Sequence, residues 1–443
     1  MSILGVELRR SAAVGAALIT VLVGVGALYG APARWSGGWM SLAMVLREYL
    51  ILMWPLALAA GAWQGRREHR AKVGELFATT ARPRAQRMLP VLGALAITFA
   101  VAYLLVTVVG LAWIVSVRYV PLLNFAVVTG VGVLALIGAA WLGLGIGRLL
   151  PALATAPALG VAGVLLVSFS LFISPDWLAA AMSPIYGTSQ FHSYPTIDNR
   201  VSGAIAIWMV ALAVTGLLLF VAGSWRARTA ALVPVLLGLT VAVAVVPRDP
   251  AVLDAPVDPI AQVLVCTDDA PTVCVSRVNT HVLDALTPLA REGLAALAKL
   301  PGAPTAVHED TSTFGRGAEI PPRDDVVRIP VRIDKRGGLA HPAVVAPEIV
   351  RGLGVAYDGS CRLRSEAVER AAAYWLLGRE PRSDVGLIPG LIQEEPEINA
   401  EALILWQGLR ELSDDEALAR VAAVRDAALA CEDPSELLSR SAG

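Results

Sequence analysis

Thr229-Ala-Ala-Leu-Val-Pro-Val-Leu-Leu-Gly-Leu-Thr-Val-Ala-Val-Ala-Val-Val246, followed at once by Pro247-Arg-Asp-Pro250, divides the chain in two. The first stretch has no charge over its whole length, and a helix needs ~20 mainly apolar residues to cross a hydrocarbon core. Working back toward the N-terminus, six further stretches have the same character: 12–30, 41–62, 90–115, 124–147, 155–173 and 203–222. Working forward, nothing does. Hydrophobic residues make up 56% of the 443 residues and charged ones only 16%, well below the roughly 25% charged of ordinary soluble domains. The sequence therefore predicts a multi-span α-helical membrane protein with about seven transmembrane helices over 1–247. A C-terminal α+β domain over 248–443 follows it. The N-terminal stretch, 12–30, lacks a convincing small-residue cleavage site and precedes six others, so it reads as a retained helix and not a signal peptide.

Lys and Arg in the loops set the orientation. With the N-terminus inside, the inner segments hold Arg9, Arg10, Arg66, Arg67, Arg70, Lys72, Arg82, Arg84, Arg87, Arg148, Arg226 and Arg228, against Arg34, Arg118 and Arg200 in the outer loops. Seven crossings then put the C-terminal domain outside the cytoplasm, at the cell membrane. Charge divides the same way: 16 basic and 6 acidic residues up to Val246, then 20 and 31 beyond, so a net −1 conceals halves of opposite sign. The positive inner face suits anionic membrane lipid and cytoplasmic partners. Nothing points to nucleic acid.

All four cysteines, Cys266, Cys274, Cys361 and Cys431, follow the last span, as an oxidising compartment favours. Residues 262–266 and 272–277 read as two strands around a polar turn, and symmetry about Ala270 sets Cys266 opposite Cys274. The favoured disulfides are Cys266 with Cys274 and Cys361 with Cys431, although four cysteines allow three pairings. Further strands are expected at 304–308 and 326–333. Helices are expected at 279–299, 342–354, 364–378, 398–411 and 414–431, the last opened by the capping box Ser413-Asp-Asp-Glu416. Pro55 and Pro234 are expected to kink or locally loosen their helices.

Two places carry candidate function. Arg47 and Glu48 are ionisable residues inside the second apolar stretch, which makes them candidates by default. Their position near its outer end also allows snorkelling to the interface, so a path-lining role and a plain structural contact both stand open. The second place is the basic segment 64–83. Val73, Leu76 and Phe77 share one helical face there, with Arg70, Lys72 and Glu75 off it. Such a helix lies on a membrane or docks in a partner's groove.

Arg47-Glu-Tyr-Leu50, Trp54-Pro-Leu-Ala57, Gly65-Arg-Arg-Glu-His-Arg70 and Glu75-Leu-Phe-Ala-Thr-Thr-Ala-Arg-Pro83 resemble the second span and inner loop of actinobacterial permeases of the type-2 ATP-binding-cassette (ABC) transporter class. The start, Ile3-Leu-Gly-Val-Glu-Leu-Arg-Arg10, is similar to that class's connecting helix. The resemblance covers about the first half of the chain. It implies a coupling helix within 64–83, with Arg66, Arg67, Arg70, Glu75, Leu76 and Phe77 facing a separate cytoplasmic ATPase subunit. It also implies a dimer of like or unlike permease chains, export as the direction, and an outer re-entrant segment near 174–202. A seventh span and a large outer domain depart from the basic class.

No Gly-Lys followed by Ser or Thr occurs, so the chain has no P-loop of its own, and it is expected to be neither an enzyme nor a binder of a cofactor or metal. His-Glu-x-x-His and Gly-x-Ser-x-Gly are absent as well, and His281, His308 and His341 are scattered. The alternatives are a membrane-anchored sensor or scaffold whose outer domain binds a ligand or envelope partner, and a membrane-anchored enzyme.

Overall fold

The computed structural model describes residues 12–71, 84–114, 117–170, 172–186, 194–254, 256–312, 325–334, 336–355, 365–382 and 396–439. The chain forms two compact units, Met1–Pro259 with Lys335–Gly337, and Ile260–Asp334 with Gly338–Gly443.

The first unit is helical: α1 (Ala12–Gly30), α2 (Trp39–Glu48), α3 (Leu50–Gly65), α4 (Arg84–Trp113), α5 (Leu122–Leu149), α6 (Thr155–Ser170), α7 (Asp176–Met182), α8 (Asn199–Val221) and α9 (Val233–Val245). Five helices among the described residues are long and apolar enough to cross a membrane, or six when the bent pair α2–α3 counts as one. The stretch expected at 155–173 yields α6 of 16 residues, roughly 24 Å at 1.5 Å per residue. The outward faces are apolar: Leu18, Leu22, Leu236 and Leu237 are each more than half exposed. An aqueous protein does not leave such continuous surface uncovered, whereas lipid accepts it.

The bend in the second apolar stretch falls at Tyr49, where α2 and α3 meet at 50°. Pro55 lies inside α3. Pro234 sits in the first turn of α9, where a missing N–H costs nothing. The 50° bend thus lies six residues before Pro55.

Backbone contact through small residues holds the centre of this unit. Gly61-Ala-Trp-Gln-Gly65 of α3 faces Gly143-Leu-Gly-Ile-Gly147 of α5. A Cβ at Gly61 would lie 2.0 Å from the Ala140 carbonyl oxygen, and one at Gly143 would lie 2.0 Å from that of Leu58. On the other side of α5, a Cβ at Gly216 of α8 would lie 2.3 Å from Trp141 backbone atoms. Lipid gives helices no hydrophobic drive to associate, so close backbone approach supplies the contact.

The second unit contains a four-stranded sheet in the order β1 (Leu264–Cys266), β2 (Thr272–Ser276), β3 (Ala306–Glu309), β4 (Val326–Ile329). The β1–β2 pair is antiparallel, and β2–β3 and β3–β4 are parallel. The strand expected at 326–333 stops at Ile329 because Pro330 has no N–H for the ladder, and Ile333 instead bridges Leu339 in a small hairpin. Cys266 faces Cys274 across the β1–β2 pair and is bonded to it. Cys431 is also disulfide-bonded, and Cys361 lies outside the described residues.

Helices α10 (Leu283–Leu297), α11 (Val345–Val350), α12 (Glu366–Leu377), α13 (Pro396–Arg410) and α14 (Asp414–Ala430) complete this unit. Ser413 Oγ accepts from Glu416 N at 3.3 Å to cap α14. The core draws on both layers: Val273, Val275, Val307 and Ile329 from the sheet, Leu294, Ile349, Ala371 and Val424 from the helices.

Candidate functional site

Arg47 is fully buried, near the C-terminal end of α2. It lies eight residues beyond Trp39, whose ring meets Phe125 at the start of α5 at 5.3 Å, so it sits roughly 12 Å down the helix from that end. Its Nε and Nη2 donate to the Pro184 carbonyl at 3.1 and 2.8 Å, and among the described residues Nη1 has no partner. The hydroxyl of Tyr103, a neighbour close enough to act on the Arg47 charge, is also buried and has no partner among the described residues. That hydroxyl lies over Gly132 of α5, where a Cβ would meet it at 2.3 Å. Arg47 thus does not snorkel.

Glu48, next along the chain, does reach outward and takes a two-pronged contact from Arg34, at 3.0 and 2.7 Å. Both side chains are partly exposed, so the pair contributes at most about 1 kcal/mol.

The residue that Arg47 holds belongs to a cap on the Trp39 end of the bundle. Pro184 follows α7, and the segment that contains it is tied to the stretch after α9. Tyr186 Oη donates to the Leu253 carbonyl. Thr196 N donates to Pro256 O at 2.9 Å, and Asp258 N to Tyr194 O at 3.0 Å. Tyr119 Oη donates to Asp258 Oδ2 at 2.6 Å, and Asn124 Nδ2 to Thr196 Oγ1 at 3.3 Å. Residues 253, 256 and 258 are therefore bonded across the same end as 183–186 and 194–198. A charge-assisted hydrogen bond contributes about 1.5–3 kcal/mol. Arg47→Met removes two of them and is expected to raise hydrogen exchange at the Tyr186, Thr196 and Asp258 amides by about ten-fold or more. Unchanged protection at those amides would show that Arg47 does not hold the cap.

At the opposite end, α3 runs out into the segment 64–83. Arg66 is buried, and its Nε and Nη1 have no partner among the described residues. The Arg66 and Arg70 guanidinium groups both lie over the Trp63 ring, at 5.1 and 5.2 Å from its centre. Arg67 is half-buried. Arg148 of α5 donates to the Phe220 carbonyl and covers the Phe220 ring at 5.3 Å, joining α5 to α8 at this end. Glu75, Leu76 and Phe77, with the whole of 72–83, lie outside the described residues, as do Ile3 to Arg10.

Among the described residues no group of three or more His, Cys, Asp or Glu side chains is placed to hold a metal ion. His281 falls in a turn after β2, His308 in β3 and His341 before α11. Sequence reasoning missed the cap and the glycine contacts. Glycines four apart in two apolar stretches were a usable signal for the second, whereas nothing local in the sequence pairs Arg47 with a carbonyl 137 residues away.

Comparison with protein-family models, curated proteins and solved structures finds no match to this chain. The class that fold and sequence define is a helical protein with five to six helices fit to cross a membrane and a small mixed α/β unit at its C-terminal end.

Proposed function

We propose that this chain is the membrane-spanning subunit of an ABC transporter, driven by a separate cytoplasmic ATPase that docks on 64–83. One observation carries the reading. The helix that leads into the segment resembling a coupling helix is locked backbone to backbone against α5 through Gly61, Gly65, Gly143 and Gly147. A force applied at 64–83 then moves α3 and α5 together instead of being lost in side-chain rearrangement. The bend at Tyr49 passes that motion to α2, where Arg47 holds the cap. Nucleotide-driven docking at one end would in this way open the other.

In the proposed topology the bent pair counts as one crossing and α6 as another. Together with the five long helices they make seven, the N-terminus cytoplasmic and the second unit outside. The confinement of the cysteines to the C-terminal part supports that orientation.

The test is purification of the tagged chain in mild detergent, with mass spectrometry of what accompanies it. A P-loop ATPase is expected to co-purify with the wild type and to be lost from the Glu75→Arg, Phe77→Ala double variant. Failure to find any ATPase under conditions that keep such complexes intact would sink the proposal. It would leave a ligand-binding scaffold as the reading.

A further inference from the structure

In the second unit, the end of β4 and the hairpin after it form one wall of a cleft against α10 and α11. The cleft is open to solvent, and the space between its walls and mouth, open solvent included, is about 470 Å³. Its floor is aliphatic, from Leu286, Val331, Leu339 and Val345, and its polar groups are Arg332, His341 and Glu348.

Local hydrogen bonds fix the hairpin. Asp334 N donates to Gly338 O at 2.8 Å, Ala340 N to Arg332 O at 2.8 Å, and Gly338 N to Asp334 Oδ1 at 2.9 Å. His341, which ends it, has φ 49° and ψ 56°. This left-handed conformation is costly for a residue with a Cβ and recurs at binding sites.

The charges in this cleft are incompletely matched. Glu348 is largely buried and meets Arg351 at 4.0 Å, while Arg351 also faces Glu366 at 3.8 Å. The Arg332 guanidinium is half-buried and makes no hydrogen bond or ion pair among the described residues. Burial pushes the Glu348 carboxyl above its ordinary range against the pull of Arg351 and Arg332, and pulls Arg332 below its own. A cation without a bonded partner among the described residues and a largely buried carboxylate therefore share one aliphatic cleft. Pockets of this make-up use a few polar groups to orient a mostly apolar ligand.

We propose that the cleft binds a small zwitterion with an aliphatic side chain, the chemistry of a free α-amino acid. Its carboxylate lies on Arg332, its ammonium faces Glu348, and its side chain lies on Leu286, Val331, Leu339 and Val345. The inference is independent of the transport reading, since it rests on the second unit alone.

Isothermal titration calorimetry on the full-length chain in detergent tests it with three probes: leucine, N-acetyl-leucine, which lacks the ammonium, and leucinamide, which lacks the carboxylate. Leucine is expected to bind saturably, with each blocked form at least about ten-fold weaker, because each leaves one buried charge unmatched. Arg332→Gln is expected to weaken leucine and N-acetyl-leucine while leaving leucinamide unchanged, and Glu348→Gln to do the converse for the ammonium. The crossed pattern separates ligand contact from mere loss of folding, which would weaken all three probes together. No saturable leucine binding up to about 10 mM, equal binding of the blocked forms, or variants that do not discriminate among the probes would each overturn the proposal.

Discussion

Gly143→Val is expected to abolish the folded protein. The position faces backbone: a Cβ there would lie 2.0 Å from the Leu58 carbonyl oxygen and 2.9 Å from its carbon. Side chains yield to such an intrusion by changing rotamer, but a carbonyl inside α3 moves only if the helix does. Overpacking a core that can adjust costs about 1–3 kcal/mol. Here a retreat of α3 would also break the close approach that Gly61, Gly65 and Gly147 make within two turns. The cost is therefore expected at or above about 3 kcal/mol, a large fraction of the stability of an average domain. Size-exclusion chromatography of a fluorescent-protein fusion reads the result as loss of the monodisperse peak. Gly130→Val is the control: it lies on the same helix with nothing within 4 Å of its Cβ, and is expected to elute as the wild type. A monodisperse Gly143→Val variant would mean that α3 and α5 are not held at backbone contact.

What the sequence discloses and what it withholds divide along a physical line. Apolar length is a property of one segment, so α1, α4, α5, α8 and α9 are legible where they stand. Strand-forming runs bounded by turn residues are local too, and Val273, Val275 and Val307 lie in the core of the second unit on strands close to those expected. The facing of Cys266 and Cys274 follows from a short turn and its symmetry. Non-local pairing is another matter. The parallel partnership of β2 with β3 joins segments about 30 residues apart, and no pattern within either strand specifies it. The break at Tyr49 is equally hidden, since the sequence offers Pro55 as the obvious breaker.

Arg47 shows the same division within a single residue. That it is unusual is evident from its setting among apolar residues. That its guanidinium is spent on a backbone carbonyl, and that this carbonyl sits in a cap tied to residues 253–258, requires the fold. Its neighbour Glu48 carries an equally unusual charge in the sequence, yet ends in an exposed pair with Arg34. Adjacent on α2, the two side chains leave the helix in different directions, Arg47 into the buried interior and Glu48 to the partly exposed Arg34.

The sheet of the second unit is expected to lose stability as the pH rises from about 5 to about 8. The group responsible is Glu309, at the end of β3, only 3% exposed. It accepts from Ser276 N at 2.6 Å and from Asn279 Nδ2 at 2.7 Å. Burial pushes its carboxyl from 4.5 up to about 7, and those two donors, which favour the charged form, only partly offset that. Asp310 beside it adds a smaller push in the same direction. Because the folded value lies above the unfolded one, the folded state holds a proton that the unfolded chain has released throughout the interval from 4.5 to about 7. The stabilisation is complete below that interval and is lost as pH rises through it, by about 3 kcal/mol at 1.36 kcal/mol per pH unit. Hydrogen exchange of the full-length chain, corrected for the intrinsic pH dependence of amide exchange, reads this directly. Protection in 272–276 and 306–309 is expected to fall by about two orders of magnitude between pH 5 and pH 8. Glu309→Gln keeps the shape and cannot ionise, so its corrected protection is expected to stay level over the same range. Subtracting the variant's profile from the wild type's removes the contribution of every other titrating group. A wild-type profile as flat as the variant's would show that Glu309 is already ionised at pH 5, held so by Ser276 and Asn279.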